Sequence, residues 1–462
     1  MNSLSPEVFA QLNDGVVHYT SDLPVGLPSI DSRTIGSAET FYALHGPRFD
    51  GHDFVDIALE RGAGTVVVNH DRAAEFKASE TSHTTLISVE NTERALQRIG
   101  CWYREQFEGR VVGITGSSGK TTTKEMLRIA LAAHGIVVAT KGNLNNHLGV
   151  PLSLSQLASR PDFGVFEMGM NAPGEILQLS AWVNADVAVI TSIGEAHLEG
   201  VGSLEGVAKA KGEIFETLKS AGVAICPSDV PYFDYLRGVA GERLRTVGKR
   251  EDDTCRIVQI DLVEEQSIVA FEINGERLQM TLPCIGHHHI SNALCALLAV
   301  SSLGLSLQPS LDALRTFQLP SMRGERFVLV DGTSVSLDCY NANPQSMRAA
   351  INSHLQHSDD VAALILGDML ELGSFSGRAH ASLGEFIAST YPWVMVIAVG
   401  EQMRALVRVL EDSEQYTGVV SWASDAMEAH EILTAHRRNK MNILIKGSRG
   451  LKLETVWQEM QR

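Results

Sequence analysis

Cysteine is scarce, with six residues in 462 (Cys101, Cys226, Cys255, Cys284, Cys295 and Cys339), scattered through apolar runs with no CxxC among them. That spacing excludes a disulfide framework and a thiolate zinc site, and it suits reduced, buried thiols in the cytoplasm. Positive charge is in deficit: 38 Lys and Arg against 55 Asp and Glu leave a net charge of −17. Such a chain repels nucleic acid and anionic membranes unless a basic patch overrides the balance, and no such patch stands in the sequence. Long apolar runs are missing too. The best, NALCALLAVSSLGLSL (292–307), is broken by Ser and Gly and falls short of the ~20 residues a bilayer needs, so it reads as a core helix. MNSLSPEVFAQLNDG at the start carries neither the basic nor the apolar block of an export signal, and it reads as a short amphipathic helix. Internal repeats and low-complexity segments are absent as well.

What is present is alternation of strand and helix over a length that fits about three domains at ~150 residues each. Residues 1–88 mix short strands such as TVVVNH with helical patterns, and the polar stretch DRAAEFKASETSHTT (71–85) follows. Residues 89–316 carry apolar strands VVGITG, VVAT, FGVFEMGM and ADVAVITSIG between helices, and a β-rich hairpin from 256 to 282 turns at Asn274-Gly275. Unbroken apolar strands are buried on both faces, so a largely parallel, doubly wound sheet is expected. Residues 317–462 resume the alternation with RFVLVD, SVSLDCY, VAALILGD, WVMVIAVG and NILIKGS. The expected fold is α/β in three domains: a small N-terminal α/β unit, a central doubly wound unit and a C-terminal Rossmann-like unit, broken near 88 and 317.

Within the central unit stands GITGSSGKTTTKEM (113–126). The common phosphate loop has a glycine six residues before its lysine. Here that place is Ile114, and the glycines fall at Gly113, Gly116 and Gly119, giving a tighter G-x-x-G-K-T between a strand and a helix. The physical purpose survives the shortening. Around Gly116, Ser117, Ser118 and Gly119 the backbone amides can approach phosphate oxygens, the helix start adds partial positive charge, Lys120 adds a full one, and the Thr121 hydroxyl, with Thr122 beside it, can face a Mg²⁺ ion.

That loop, together with TKGNLNNHLGVPLSL (140–154), FEMGMNAPGEI (166–176), GEAHLEGVGSLEGVAKAKGEIF (194–215), DCYNANPQSMRAAI (338–351), LGDMLELG (366–373) and KGSRGLKLE (446–454), resembles the Mur ligases, ATP-dependent amide-forming enzymes of peptidoglycan precursor synthesis related to the folylpolyglutamate synthetases. The motifs occur in order over nearly the whole chain. They most resemble the branch that attaches D-alanyl-D-alanine to UDP-N-acetylmuramoyl-tripeptide.

The resemblance implies ATP and Mg²⁺, with Lys120, Glu167, His197 and Lys211 as the catalytic set and Thr121, Glu167, His197 and Lys211 around the metal. Glu167 ends an apolar strand, where a carboxylate without a partner is costly and a hard cation is reasonable. Lys209 and Lys211 face apart on a helix, so at most one readily addresses the site. The resemblance picks Lys211 and implies that CO₂ carbamylates it, which requires a neutral amine. GHHHISNA (286–293) cannot close three consecutive histidines on one ion. There Asn292 matches an adenine contact, and His289 departs from the usual Asn. Asn146 matches an asparagine near ATP, with Asn143 and Asn145 close enough to trade places. Arg323 matches an arginine reaching ATP phosphate, and Asp338 a ribose contact.

For the other substrates the resemblance implies Ser32, Arg33, Arg48, Asp50 and His52 on the UDP end, where an arginine fork suits pyrophosphate. Tyr340, Asn341, Asn343, Ser448 and Arg449 are implied at the dipeptide. A monomer acting on small molecules, without nucleic acid or membrane insertion, is expected. Rival readings are another Mur-type ligase, a folylpolyglutamate synthetase, or a phosphate-loop kinase or NTPase.

Overall fold

The computed structural model describes residues 4–21, 24–76, 84–263, 265–355 and 361–462. Met1–Ser3 of the N-terminal segment and 77–83 of the polar stretch lie outside them; Pro6–Asn13 is the expected short helix, capped by the Ser5 hydroxyl.

Three sheets of five, nine and six strands follow one another along the chain. In the first, the parallel strands Thr65–Asn69 and Thr85–Val89 bury nearly every side chain, and Val16–Tyr19 closes one edge antiparallel. The second is parallel from Val137–Ala139 to Cys255–Val263, with Arg110–Thr115 between Phe163–Glu167 and Val187–Ile190. Its strands read as apolar runs because helices cover both faces: Lys120–Ala132 packs with His287–Ser302 on one side, and Glu175–Val183 and Leu204–Glu216 lie on the other.

The sequence reading of a hairpin needs correction. Cys255–Val263, Gln266–Ile273 and Glu276–Leu282 form three strands, and the first of them pairs in parallel with Leu244–Gly248. The segment therefore extends the central sheet instead of decorating it. Its turn is as expected: Asn274 and Gly275 have φ of +53° and +78°, the left-handed pair that matches the twist of a two-residue hairpin.

The third sheet is parallel through Ser334–Asp338, Asn442–Lys446, Ala362–Gly367, Met395–Val399 and Val420–Ala423, with Glu325–Val328 antiparallel at one edge. The carboxyl ends of these strands face the carboxyl ends of the central sheet, the edge where open α/β sheets collect their ligands. One buried apolar cluster crosses the junction, with Met170 and Leu198 from the central unit and Met369 and Leu372 from the C-terminal one.

The cysteines are all free, and burial pushes the Cys226, Cys255 and Cys284 thiols up to about 12. Cys101 departs from the expectation by being partly exposed. Among the described residues no helix is long and apolar enough to cross a membrane.

Candidate active site

Between the two facing sheet edges lies a cavity of about 1760 Å³, lined by residues 117–122 of the glycine turn and by side chains of both units. The strand Arg110–Thr115 feeds into the turn, and Gly119, at φ +82°, starts the helix Lys120–Ala132. A side chain at Gly119 would strike Asn292 Oδ1 2.6 Å away, so glycine is required both by the backbone and by space. The loop is clamped from the neighbouring strand end. Ser117 and Ser118 donate their amides to Ser192 O (3.0 Å) and Ser192 Oγ (2.9 Å), and the Ser117 hydroxyl donates to Gly194 O (3.0 Å). Those two amides are thus already engaged; the first-turn amides of the helix, which have no intrahelical acceptor, are the ones left for an anion.

Lys120 folds back so that Nζ donates to Gly116 O at 2.7 Å, and burial lowers its pKa. A phosphate beside it would favour the charged amine and offset that burial. Thr121 Oγ1 donates to Glu167 Oε2 at 2.9 Å, while Asn145 Nδ2 donates to the other oxygen at 2.8 Å. Glu167 is buried at the strand end, as expected, and its bonds come from a hydroxyl and an amide.

Lys211 is fully buried on Leu204–Glu216, and its Nζ has no hydrogen-bond partner. Burial first, and the nearby Lys120 charge second, push its pKa well down, which favours the uncharged amine. Lys209, two residues earlier, is exposed and pairs with Glu205 at 2.7 Å. The helical geometry thus separates the two lysines as the spacing requires.

His197 sits at φ +57° at the start of Leu198–Val201, with Nδ1 2.8 Å from Glu371 Oε2 of the C-terminal unit. The carboxylate lies at ion-pair distance without the linear geometry of a hydrogen bond. The His197 contact holds the Glu371 carboxyl below its usual range.

A hard divalent cation fits these residues. Thr121 and Glu167 converge with oxygen donors, and among the described residues no cluster of three His, Cys, Asp or Glu could hold a metal alone. A site of few protein ligands is what Mg²⁺ uses when phosphate and water complete its shell.

Other expected residues divide. Asn292 is buried against Gly119, and Arg323 stacks over the Tyr340 ring, 4.1 Å from its centroid. Asp338 accepts from Lys446 Nζ at 2.8 Å, and Lys446 also donates to the Asn341 carbonyl (3.2 Å). All of these line the cavity. Asn146 lines it too, but its Oδ1 accepts the amides of Leu148 and Gly149 at the start of Gly149–Ser155, so it caps a helix while Asn145 reaches Glu167. Asn343 is likewise spent: it exchanges hydrogen bonds with Ser346 in a capping box, and Nδ2 donates to Ser117 O at 3.4 Å across the cleft.

Ser448 and Arg449 do not line the cavity. Ser448 is buried and accepts the amide of Leu370 (3.0 Å), and Arg449 turns away to pair with Glu454. In the N-terminal unit, Asp50 ties its neighbours together. His52 Nε2 accepts the Asn69 amide at 3.0 Å, so Nδ1 carries the proton and donates to Asp50 at 2.6 Å. Burial alone would raise the Asp50 pKa, but His52 and Arg72 outweigh it and hold the carboxylate well below its usual range. His52 is buried and structural; Arg33 and Arg48 are exposed, Arg33 paired with Asp31 at 2.7 Å, and Ser32 is buried. Sequence reasoning assigned no role to Lys446 and Glu371. A lysine ending the apolar strand NILIK, in register with Asp338, was a usable signal for the first; the second needed the fold.

Comparison with known proteins completes the picture. The Mur ligase middle domain matches residues 114–300, the Mur ligase glutamate ligase domain 322–449, and the Mur ligase family catalytic domain 27–104. The chain is 35% identical over 442 residues to the UDP-N-acetylmuramoyl-tripeptide–D-alanyl-D-alanine ligase of Bacillus subtilis, covering 93% of this chain and 92% of the relative. A crystal structure of MurF from Acinetobacter baumannii superposes with a TM-score of 0.88 at 30% identity over 99% of both chains. The MurF ligase of Thermotoga maritima in complex with ADP gives 0.80 at 26% identity, over 94% of this chain and 96% of the other. With matches to all three domains and full-length similarity at this level, the chain belongs to the Mur ligase family.

Proposed function

We propose that the chain joins D-alanyl-D-alanine to UDP-N-acetylmuramoyl-tripeptide in peptidoglycan precursor synthesis, using ATP. An amide cannot form from a carboxylate in water without activation, so the tripeptide carboxylate takes the γ-phosphoryl group of ATP. The amine of the dipeptide then attacks the acyl phosphate, and the tetrahedral intermediate expels phosphate to leave the amide and ADP. The observation that carries this reading is the convergence of Lys120, Thr121 and Glu167 on a cavity walled by two units, in a chain whose relatives bear that activity.

The protein's own part is positioning and charge. Lys120 meets the transferred phosphoryl group, the first-turn amides hold the remaining phosphates, and Asn292 and Asp338 take the adenine and ribose. Arg323 reaches the phosphates by leaving the Tyr340 ring. Thr121 and Glu167 would hold Mg²⁺, with His197 and carbamylated Lys211 at a second position. When bound, the ion neutralises charge developing on the phosphoryl oxygens. An unprotonated amine is what attacks CO₂, so burial that disfavours the charged form of Lys211, together with an Nζ that has no hydrogen-bond partner, supports the carbamate. Ser32, Arg33 and Arg48 would face the UDP end in the 1–88 unit, with Asp50 and His52 holding that loop; Tyr340 and Asn341 would face the dipeptide in the 317–462 unit. The chain would act as a monomer in the cytoplasm, where the nucleotide substrates are and where its free thiols stay reduced.

Incubation with ATP, Mg²⁺ and UDP-muramoyl-tripeptide, with and without D-alanyl-D-alanine, tests the reading through phosphate release and product mass. Release should need both acceptor and donor, and Lys120→Ala should lower turnover at least ~10²-fold with the fold retained. Phosphate release indifferent to the dipeptide would favour the kinase or NTPase rival instead.

A further inference from the structure

The loop after the strand Ala362–Gly367 is built to present one side chain. Met369 donates its amide to His380 Nε2 (3.0 Å), Leu370 donates to Ser448 Oγ (3.0 Å), and Asp368 accepts the amide of Met403 (2.9 Å). Met369 and Leu372 are almost wholly buried, while Glu371 between them has a side chain 57% exposed at the cavity wall. Its φ of +64° lies in the left-handed region, which costs a non-glycine residue ~1 kcal/mol and persists only where the surroundings enforce it.

Three other carboxylates of the cavity wall are engaged by neighbouring donors. Glu167 receives Thr121 and Asn145, Asp338 receives Lys446, and Glu265 pairs with Arg326 at 2.9 Å. Glu371 has its short contact with His197, which lacks hydrogen-bond alignment, and it is close enough to Lys120 for the two charges to act on each other. A carboxylate is thus held in the wall of the cavity that Lys120 also lines, on the unit opposite the phosphate loop. The amino donor arrives as an ammonium ion. Removing it from water requires an opposite charge and acceptors for its protons.

Resting on the function proposed above, we infer that Glu371 receives the ammonium group of the incoming dipeptide and holds its nitrogen toward the activated carboxyl carbon, where it attacks as the neutral amine after giving one proton to solvent. Ser448 then contributes from behind, by fixing the Glu371 loop.

The test compares wild type, Glu371→Gln and Glu371→Asp. Calorimetry in the presence of UDP-muramoyl-tripeptide and a non-hydrolysable ATP analogue measures binding of D-alanyl-D-alanine and of D-lactyl-D-alanine, in which a neutral hydroxyl replaces the ammonium. Glu371→Gln should weaken D-alanyl-D-alanine ~10-fold or more, leave D-lactyl-D-alanine within a factor of two, and be rescued within a few-fold by Glu371→Asp. In turnover the dipeptide KM should rise, with the KM for the UDP-linked substrate unchanged. Equal losses for both ligands would assign Glu371 to holding His197 or the loop, and an unchanged dipeptide KM would remove it from recognition; either overturns the inference. Wild type failing to join the dipeptide at all would instead sink the functional reading.

Discussion

His380 shows how a residue far from the chemistry shapes the site. Its Nε2 accepts the Met369 amide, and Nδ1 donates to Ser376 O at 2.7 Å, an arrangement open only to the neutral ring. Protonation would set one N–H against another, and burial accordingly lowers the pKa from its ordinary value. Because the folded value lies below the unfolded one, the full contribution to stability is present above about pH 6.5 and is lost as the pH falls from there toward the folded value, at no more than ~1.4 kcal/mol per pH unit. The urea midpoint should therefore drop between pH 7.5 and 5.5, and His380→Gln should lower the midpoint at pH 7.5 while shrinking that drop. An identical pH slope in the variant would show that the ring does not carry the effect.

Residues also mark where the sequence was readable. The glycine turn, Lys120 and Thr121 were legible because adjacency in the chain is adjacency in a loop. Helical rotation, a local property, set Lys211 and Lys209 on different faces, and the family resemblance chose between them. Asn146 and Asn343 were not legible, since capping a helix and binding a ligand call for the same side chain, and only the partner decides between them. Arg449 was expected at the dipeptide, but Glu454, five residues on, claims it.

At the scale of elements, apolar runs gave the buried parallel strands, whose period is erased by helices on both faces. The same logic missed strands with weaker patterns, such as Val223–Pro227 and Leu244–Gly248, and so missed that the β-rich segment continues the sheet. The Asn274-Gly275 turn lends itself to measurement. A Cβ at Gly275 would meet no atom within 4 Å, so Gly275→Ala probes backbone strain alone. It should cost roughly 1–2 kcal/mol in urea unfolding and leave kcat unchanged, as the turn lies on the edge strands of the central sheet. A loss near zero would mean that the turn relaxes to another type.

For the whole molecule, the three sheets were legible as three stretches of alternation, while their mutual placement was not, because it depends on a few contacts between side chains distant in sequence. Asn343 touching Ser117, Glu371 touching His197 and the apolar cluster shared by both units moor the C-terminal body against the central one. The connection between them bends at Met322 and Gly324, with φ of +58° and +91°. A body of that size swings through solvent against drag. If admitting substrates and discharging product requires casting off this mooring, kcat should fall nearly in inverse proportion to viscosity as sucrose thickens the medium. A rate indifferent to sucrose would place the slow event within the bonds being made and broken.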